Sequence, residues 1–378
     1  MKIARIQTTP LALAFKQPYH WAGRVDHAAA VVLVEVETDD GLIGIGESVA
    51  AFPAEGTVAA LQGVAPLFIG EPVFDVERLI TGARHLGGFN HTPWQANFVL
   101  AGLEMALWDI LGKAAGWPVY RLLGGAVRDE VDYFGFVQGD TTEELAEDAR
   151  DLAEAGYGVI YLKVGRGEEA DLRNAAAVRA AIGGRRLRLD PNCAWSVPEA
   201  IHMIGKLREL EPEWIEQPTP LQSIAALRQV KEAVSVPIAA DQAVFTPADV
   251  YEVCRQRAAD VIVLSPHEAG GLLAFGKAAA IAEAAGVPIC LHGQGVSGIT
   301  DAAQHHLGLR TANLTAGNQI MHQLLVEDLV TAPDLTPVQG RIGLFETPGL
   351  GVELDRDAIH RAAELYRRGS TRPKEVGS

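Results

Sequence analysis

From about residue 130 onward the sequence repeats one unit, a short apolar run ending in a polar residue and then an amphipathic stretch opened by a cap-like residue. The runs are VDYFGFV, VIYLKVG, RLRLDPN, EWIEQP, VPIAADQ, ADVIVLSP and VPICLHG, with a fainter eighth near LTAGNQI. Thr141-Thr142, Ser196-Val197-Pro198-Glu199 and Thr246-Pro247 carry helix-opening signals between them. Strand–helix alternation sustained over this length demands a parallel sheet. Eight units fit a closed (β/α)8-type barrel. The alternative, a doubly wound open sheet, is disfavoured because no glycine-rich dinucleotide loop follows the first strand.

A barrel of this kind does its chemistry at the carboxyl ends of its strands. The last polar residues of successive runs are Lys163, Asp190, Glu216, Asp241, Ser265 and His292, at intervals of 27, 26, 25, 24 and 27 residues. That spacing is close to one unit each and places the six side chains around one rim. Asp190, Glu216 and Asp241 stand on consecutive strands, and three carboxylates in one small space repel unless a cation joins them. Oxygen donors alone select Mg²⁺ over zinc. Lys163 and His292 flank the acids along the chain and are the candidates for moving a proton; beside a cation the lysine pKa should fall.

The first third of the chain reads differently. AAAVVLVEVETDDGLIGIGES contains two strands joined at Asp39-Asp40-Gly41, and a helical pattern carrying Ala101, Met105, Trp108 and Leu111 runs to Gly124-Gly125. At 378 residues the chain is long for one domain, and its 48% hydrophobic content supports a large core. The charge, 32 − 48 = −16, argues against nucleic acid and anionic membranes as partners. It leaves room for a small anionic substrate beside a local metal. Cys193, Cys254 and Cys290, with no Cys-x-x-Cys, read as reduced thiols of a cytoplasmic protein. Pro10 interrupts the N-terminal apolar patch, so no signal peptide is expected, and no apolar run is long enough for a membrane span.

The ordered set VVLVEVETDDGLIGIGES, ALWDILGKAAGWPVYRLLGG, LKVG, LDPN, EWIEQP, ADQ and PGLGVELDRD resembles the mandelate racemase and muconate lactonizing branch of the enolase superfamily. The resemblance implies a modified TIM barrel with an N-terminal α+β capping domain. The cap would cover residues 1–125, completed by about 340–378, and the barrel 126–339. It implies one Mg²⁺ on Asp190, Glu216 and Asp241, which stabilises an enediolate formed from a small-molecule carboxylate, and a homo-oligomeric assembly. Lys163 matches the second lysine of the family's Lys-x-Lys motif, and Tyr161 stands in place of the first. Ser265 stands where relatives carry a lysine or an aspartate that partners the catalytic histidine, which His292 matches.

With serine at 265 the imidazolium of His292 should be poorly stabilised, its pKa low, and its role that of a proton donor. Asn318 falls where an acidic group lies near the substrate carboxylate. DPNCAWS, containing Asn192, resembles the third-strand motif of glucarate dehydratases. His20, Trp21 and Arg24 lie in the loop that aligns with the specificity loop, and His267, Glu268 and Gln294 lie just beyond strand ends as pocket candidates. These readings together favour dehydration of an acid sugar or other hydroxy acid. The alternatives are a racemase or epimerase, a muconate-type cycloisomerase, and a catalytically retired carboxylate-binding barrel.

Overall fold

The computed structural model describes residues 1–21, 24–50, 53–221 and 223–369; the side chain of Arg24 lies outside the described set. The chain opens with a three-stranded antiparallel sheet, β1 (Ile3–Trp21), β2 (Arg24–Thr38) and β3 (Ile43–Val49), in the order β1-β2-β3. The β2–β3 turn runs through Gly41, whose φ of +86° suits glycine. Three helices follow: α1 (Ala54–Val64), α2 (Val76–Leu86) and the 23-residue α3 (Pro93–Ala115). Gly44 and Gly46 let α3 lie directly on β3, because a Cβ on either would collide with the helix carbonyls of Ala106 or Gly102. A short helix, α4 (Val119–Leu122), and strand β4 (Glu130–Asp132) lead into the barrel.

The barrel strands are β5 (Gly135–Phe136), β6 (Val159–Lys163), β7 (Arg186–Asp190), β8 (Pro212–Glu216), β9 (Ile238–Ala240), β10 (Val261–Leu264) and β11 (Ile289–Leu291). They form one sheet in sequence order, and every pair is parallel. Its helices are α5 (Thr142–Glu154), α6 (Glu168–Ala181), α7 (Val197–Leu207), α8 (Ile224–Ala233), α9 (Pro247–Gln256), the one-turn α10 (Pro266–Ala269), α11 (Leu272–Ala284) and α12 (Gly298–Arg310). Reciprocal side-chain caps open α5 at Thr141/Glu144, α7 at Ser196/Glu199 and α9 at Thr246/Asp249, where the sequence signals stand.

The eighth position is irregular. Residues 313–319 run beside β11, with Ile289 N donating to Asn313 O, Thr315 N to Ile289 O and Gln319 N to Leu291 O. They also meet the stretch from the end of β4 into β5, Phe134 N donating to Asn318 O and Asn318 N to Asp132 O. This closes the (β/α)8-type barrel. Arg188 secures the closure from inside: fully buried, it stacks 3.5 Å over Trp214 and pairs with Glu213 Oε2 at 2.7 Å. It also donates to the carbonyls of Ala316 and Gly317.

Buried polar side chains of the capping domain fasten it to the barrel. Glu47 on β3 accepts from Ser297 Oγ (2.5 Å), Ser297 N (3.1 Å) and Thr300 Oγ1 (2.7 Å) at the start of α12. Glu104 on α3 accepts from Leu272 N and Leu273 N at the start of α11. Both carboxylates complete helix N-termini whose first amides have no partner within the helix. Asn97 Nδ2 donates to Glu268 O (2.6 Å) and Phe245 O (2.9 Å). The last helix, α13 (Arg356–Arg367), returns to pack on β1.

Candidate active site

Lys163, Asp190 and Glu216 are the final residues of β6, β7 and β8, and Asp241, Ser265 and His292 each directly follow β9, β10 and β11. Parallel register therefore brings all six to one rim, and all are buried. The turns leaving β7 and β8 are tight: Asn192, Cys193 and Gln217 have φ of 44°, 64° and 32°. They are fixed by the acids and amides around them. Asn192 N donates to Asp190 Oδ1 (2.6 Å), and Gln217 Oε1 accepts from Asp241 N (3.1 Å) and Ala243 N (3.2 Å).

At one end of the row, Lys163 Nζ lies 2.5 Å from Asp190 Oδ2. Burial pulls the ammonium pKa down, but Asp190, with Tyr19 and Glu216 behind it, more than offsets this and holds it above the usual lysine value. The Tyr161 hydroxyl sits between two acids, 2.5 Å from Asp190 Oδ2 and 2.7 Å from Glu216 Oε1. Its ring stacks on Phe134 at 4.5 Å, and burial with the two carboxylates pushes its pKa well up. Tyr161 is thus a neutral tether of the acid row, and among the described residues no second ammonium stands beside Lys163.

The middle of the row fits a cation. Asp241 is fully buried, and neither of its carboxylate oxygens has a hydrogen bond among the described residues. Burial raises its pKa well above the usual value despite His292, and Glu268, Glu216 and Asp190 add to the rise. Burial and Asp190 likewise lift Glu216 to about 7. A row of acids held this way calls for either protons or a metal, and the all-oxygen donor set of Asp190, Glu216 and Asp241 suits Mg²⁺.

The other end overturns one sequence expectation. His292 has a carboxylate partner, supplied from one turn past residue 265. His292 Nδ1 lies 2.9 Å and 3.0 Å from the two oxygens of Glu268 and 3.3 Å from Asp241 Oδ1. Burial lowers the imidazole pKa, but Asp241 and Glu268 outweigh it and raise it to about 10, so His292 is held as the cation and its pKa is not low. Ser265 serves the pair indirectly. It caps α10, its Oγ accepting from Glu268 N (3.0 Å) while its own N donates to Glu268 Oε2 (2.9 Å). Among the described residues Asp241, Glu268 and His292 are the group of possible metal donors whose atoms all lie within 4.8 Å of one another, whereas Asp190, Glu216 and Asp241 are not drawn together that closely.

Two residues expected in the pocket are occupied elsewhere. His267 is buried with Nε2 2.7 Å from Glu47 O, and burial lowers its pKa to about 4. Asn318 uses both amide hydrogens on Asp132 O and Thr315 O, and its oxygen accepts from Leu291 N. It belongs to the barrel seam. Asn192 Oδ1 is buried and has no hydrogen bond among the described residues. His20 reaches Asp140 at 2.5 Å across the cap–barrel boundary, and Trp21 Nε1 donates to Asp26 Oδ2 at 2.6 Å. Sequence reading passed over Tyr19, next to His20, whose ring packs on Phe15 and Phe136 within the fields of Lys163, Asp190 and Glu216.

Residues 4–124 match the model of the mandelate racemase/muconate lactonizing enzyme N-terminal domain, and residues 144–358 that of the enolase C-terminal domain-like family. The chain belongs to the enolase superfamily. Its branch is that of mandelate racemase and muconate lactonizing enzyme, and it is an enzyme. Muconate cycloisomerase 1 of Rhodococcus opacus is 32% identical over 95% of this chain and 98% of its own length. The L-Ala-D/L-Glu epimerase of Bacillus subtilis is also 32% identical, over 93% of this chain and 97% of its own. Its substrate-liganded structure superposes with a TM-score of 0.86, at 29% identity over 93% of this chain and 99% of that one. A probable glucarate dehydratase of Streptomyces coelicolor is 29% identical over 97% of this chain and 92% of its own length. No described helix is long and apolar enough to cross a membrane.

Proposed function

We propose that this enzyme is a Mg²⁺-dependent dehydratase of an acid sugar or related hydroxy acid. The observation that carries the reading is the pair at the ends of the acid row: Lys163 at one end, and His292, cationic on Glu268, at the other. Asp190, Glu216 and Asp241 would hold the metal, which supplies positive charge to offset the second negative charge of an enediolate. A cation there would offset the charge of Asp190 and Glu216 that raises the Lys163 pKa and also that of Asp241 beside His292, leaving Glu268, outside the ligand set, as the partner that keeps His292 protonated. Lys163 takes the α-proton, and the electron pair of the broken C–H bond passes to the carboxylate. His292 then protonates the departing β-hydroxyl, which leaves as water, and the enol product tautomerises to a 2-keto-3-deoxy acid.

Racemisation or epimerisation is the second reading, favoured by the same two groups and by the epimerase relative. The lysine–lysine version is not available, because residue 265 is serine and is committed to the α10 cap. The deciding experiment is a product assay on β-hydroxy acids in ²H₂O with Mg²⁺. Dehydration predicts a keto acid, lost in His292→Asn while α-deuterium exchange persists, and both lost in Lys163→Ala. Interconversion of epimers with no keto acid would refute dehydration.

A further inference from the structure

Beside Lys163 lies a small cleft lined by His20, Gln138, Lys163 and Arg166. Its enclosed space is about 10 Å³, room for one water-sized group such as a single carboxylate oxygen. Arg166 follows β6 by three residues on a loop that is held rigidly. Asp171 accepts from Gly165 N (3.0 Å) and Arg166 N (2.9 Å), and Gly165 has a φ of +92°, where a Cβ would press on Pro191 O. The backbone is fixed, yet among the described residues the guanidinium has no hydrogen bond or ion pair. Burial already lowers its pKa, with only the more distant fields of Asp171 and Asp140 opposing. Asp140 is itself taken up by His20, and Asp171 by the loop amides.

A half-buried guanidinium without a partner, pre-positioned next to an ammonium, is a costly arrangement unless an anion completes it. We infer that Arg166, with His20 and Gln138, forms a subsite for a second carboxylate, so that the substrate is a dicarboxylic acid sugar. The planar fork of arginine matches a planar carboxylate through two parallel hydrogen bonds. Lys163 sits between this subsite and the acid row, so the α-carbon of an acid spanning the two lies over its amine. This rests on the proposed acid-sugar reading and adds the chemistry of the far end of the substrate.

The test pairs acids of equal length: galactarate against galactonate, and glucarate against gluconate. Affinity is measured by calorimetry with the Mg²⁺-loaded enzyme, and α-deuterium exchange in parallel. The diacid of a pair should bind more tightly, and Arg166→Gln should cut the diacid-to-monoacid preference about 10- to 100-fold. Arg166→Lys should restore part of it, because it keeps the charge and loses the fork. Melting temperature and Mg²⁺ affinity of the variants report whether the fold and the acid row survive. Equal binding of diacids and monoacids, or an unchanged preference in Arg166→Gln, overturns the subsite and leaves the dehydratase reading standing. Failure of all four acids to bind or exchange overturns both.

Discussion

Replacing Glu268 by Gln removes one of the two carboxylates that make His292 a cation. In the native site two Glu268 oxygens lie within 3.0 Å of Nδ1, and Asp241 first, with Glu268 next, raises the pKa to about 10. The amide keeps the shape and one acceptor but removes a full negative charge. An opposite charge at this range shifts a pKa by about 1–3 units, and each unit is about 1.4 kcal/mol of preference for the protonated form. The proton-loss midpoint of His292 should therefore fall by about 1–3 units. The alkaline limb of the turnover profile should move to lower pH by the same amount, while α-deuterium exchange through Lys163 is retained. The assay is keto-acid formation across pH 6–10, with the His292 ring followed by NMR after selective ¹⁵N labelling. Stability gives a linked check. The folded pKa is raised, so the stabilisation is complete below the unfolded histidine value and lost as pH rises through about 10. Glu268→Gln should lose part of that contribution near neutral pH, Asp241 keeping the rest. An unmoved alkaline limb and an unmoved ring titration in Glu268→Gln would refute the dyad.

Three further outcomes follow from the same geometry. Tyr161→Phe removes the hydroxyl shared by Asp190 and Glu216 and should weaken Mg²⁺ binding about 10- to 100-fold by calorimetry; undiminished affinity would show that the hydroxyl does not position those acids. Asp241→Asn should abolish Mg²⁺ binding and turnover, and normal titration with Mg²⁺ would remove Asp241 from the ligand set. Glu47 is held at a pKa of about 7, above its unfolded value, mainly by burial, so stability should decline as pH rises from about 4.5 through 7. Glu47→Gln should flatten that slope in thermal melts, and an unchanged slope would assign it to other groups.

The rim was legible because each strand exposes its last polar residue to one end and each unit is about 25 residues long. Lys163, Asp190, Glu216, Asp241 and His292 could be placed on it by spacing alone. Glu268 was visible as a pocket candidate, but its role was not, since strand-end reasoning assigns the histidine's partner to residue 265. The signal was present in Ser265-Pro266-His267-Glu268, a capping box that folds the glutamate back over its own N-cap onto the rim. Asn318 was misplaced for the converse reason. It lies on an irregular eighth segment, where backbone carbonyls left without a regular ladder accept from its side-chain nitrogen. Arg166 escaped notice because nothing in a loop sequence shows which charged side chain lacks a partner. Arg188 shares strand parity with Asp190, so its inward direction could be read. Its use as the barrel's internal clasp could not.

The fastening of cap to barrel bears on how such enzymes can be recombined. Glu47, Glu104 and Asn97 each complete a turn or helix start belonging to the other half of the molecule. A transplanted cap lacking acceptors at positions 47 and 104 and the amide at 97 would bury amides at the starts of α11 and α12 without acceptors, and would release the turn that aims Glu268 at His292. The unit that can be exchanged without disturbing those three fastenings is therefore smaller than the cap: the β1–β2 tip bearing Tyr19 and His20, grafted onto a retained β3 and α3.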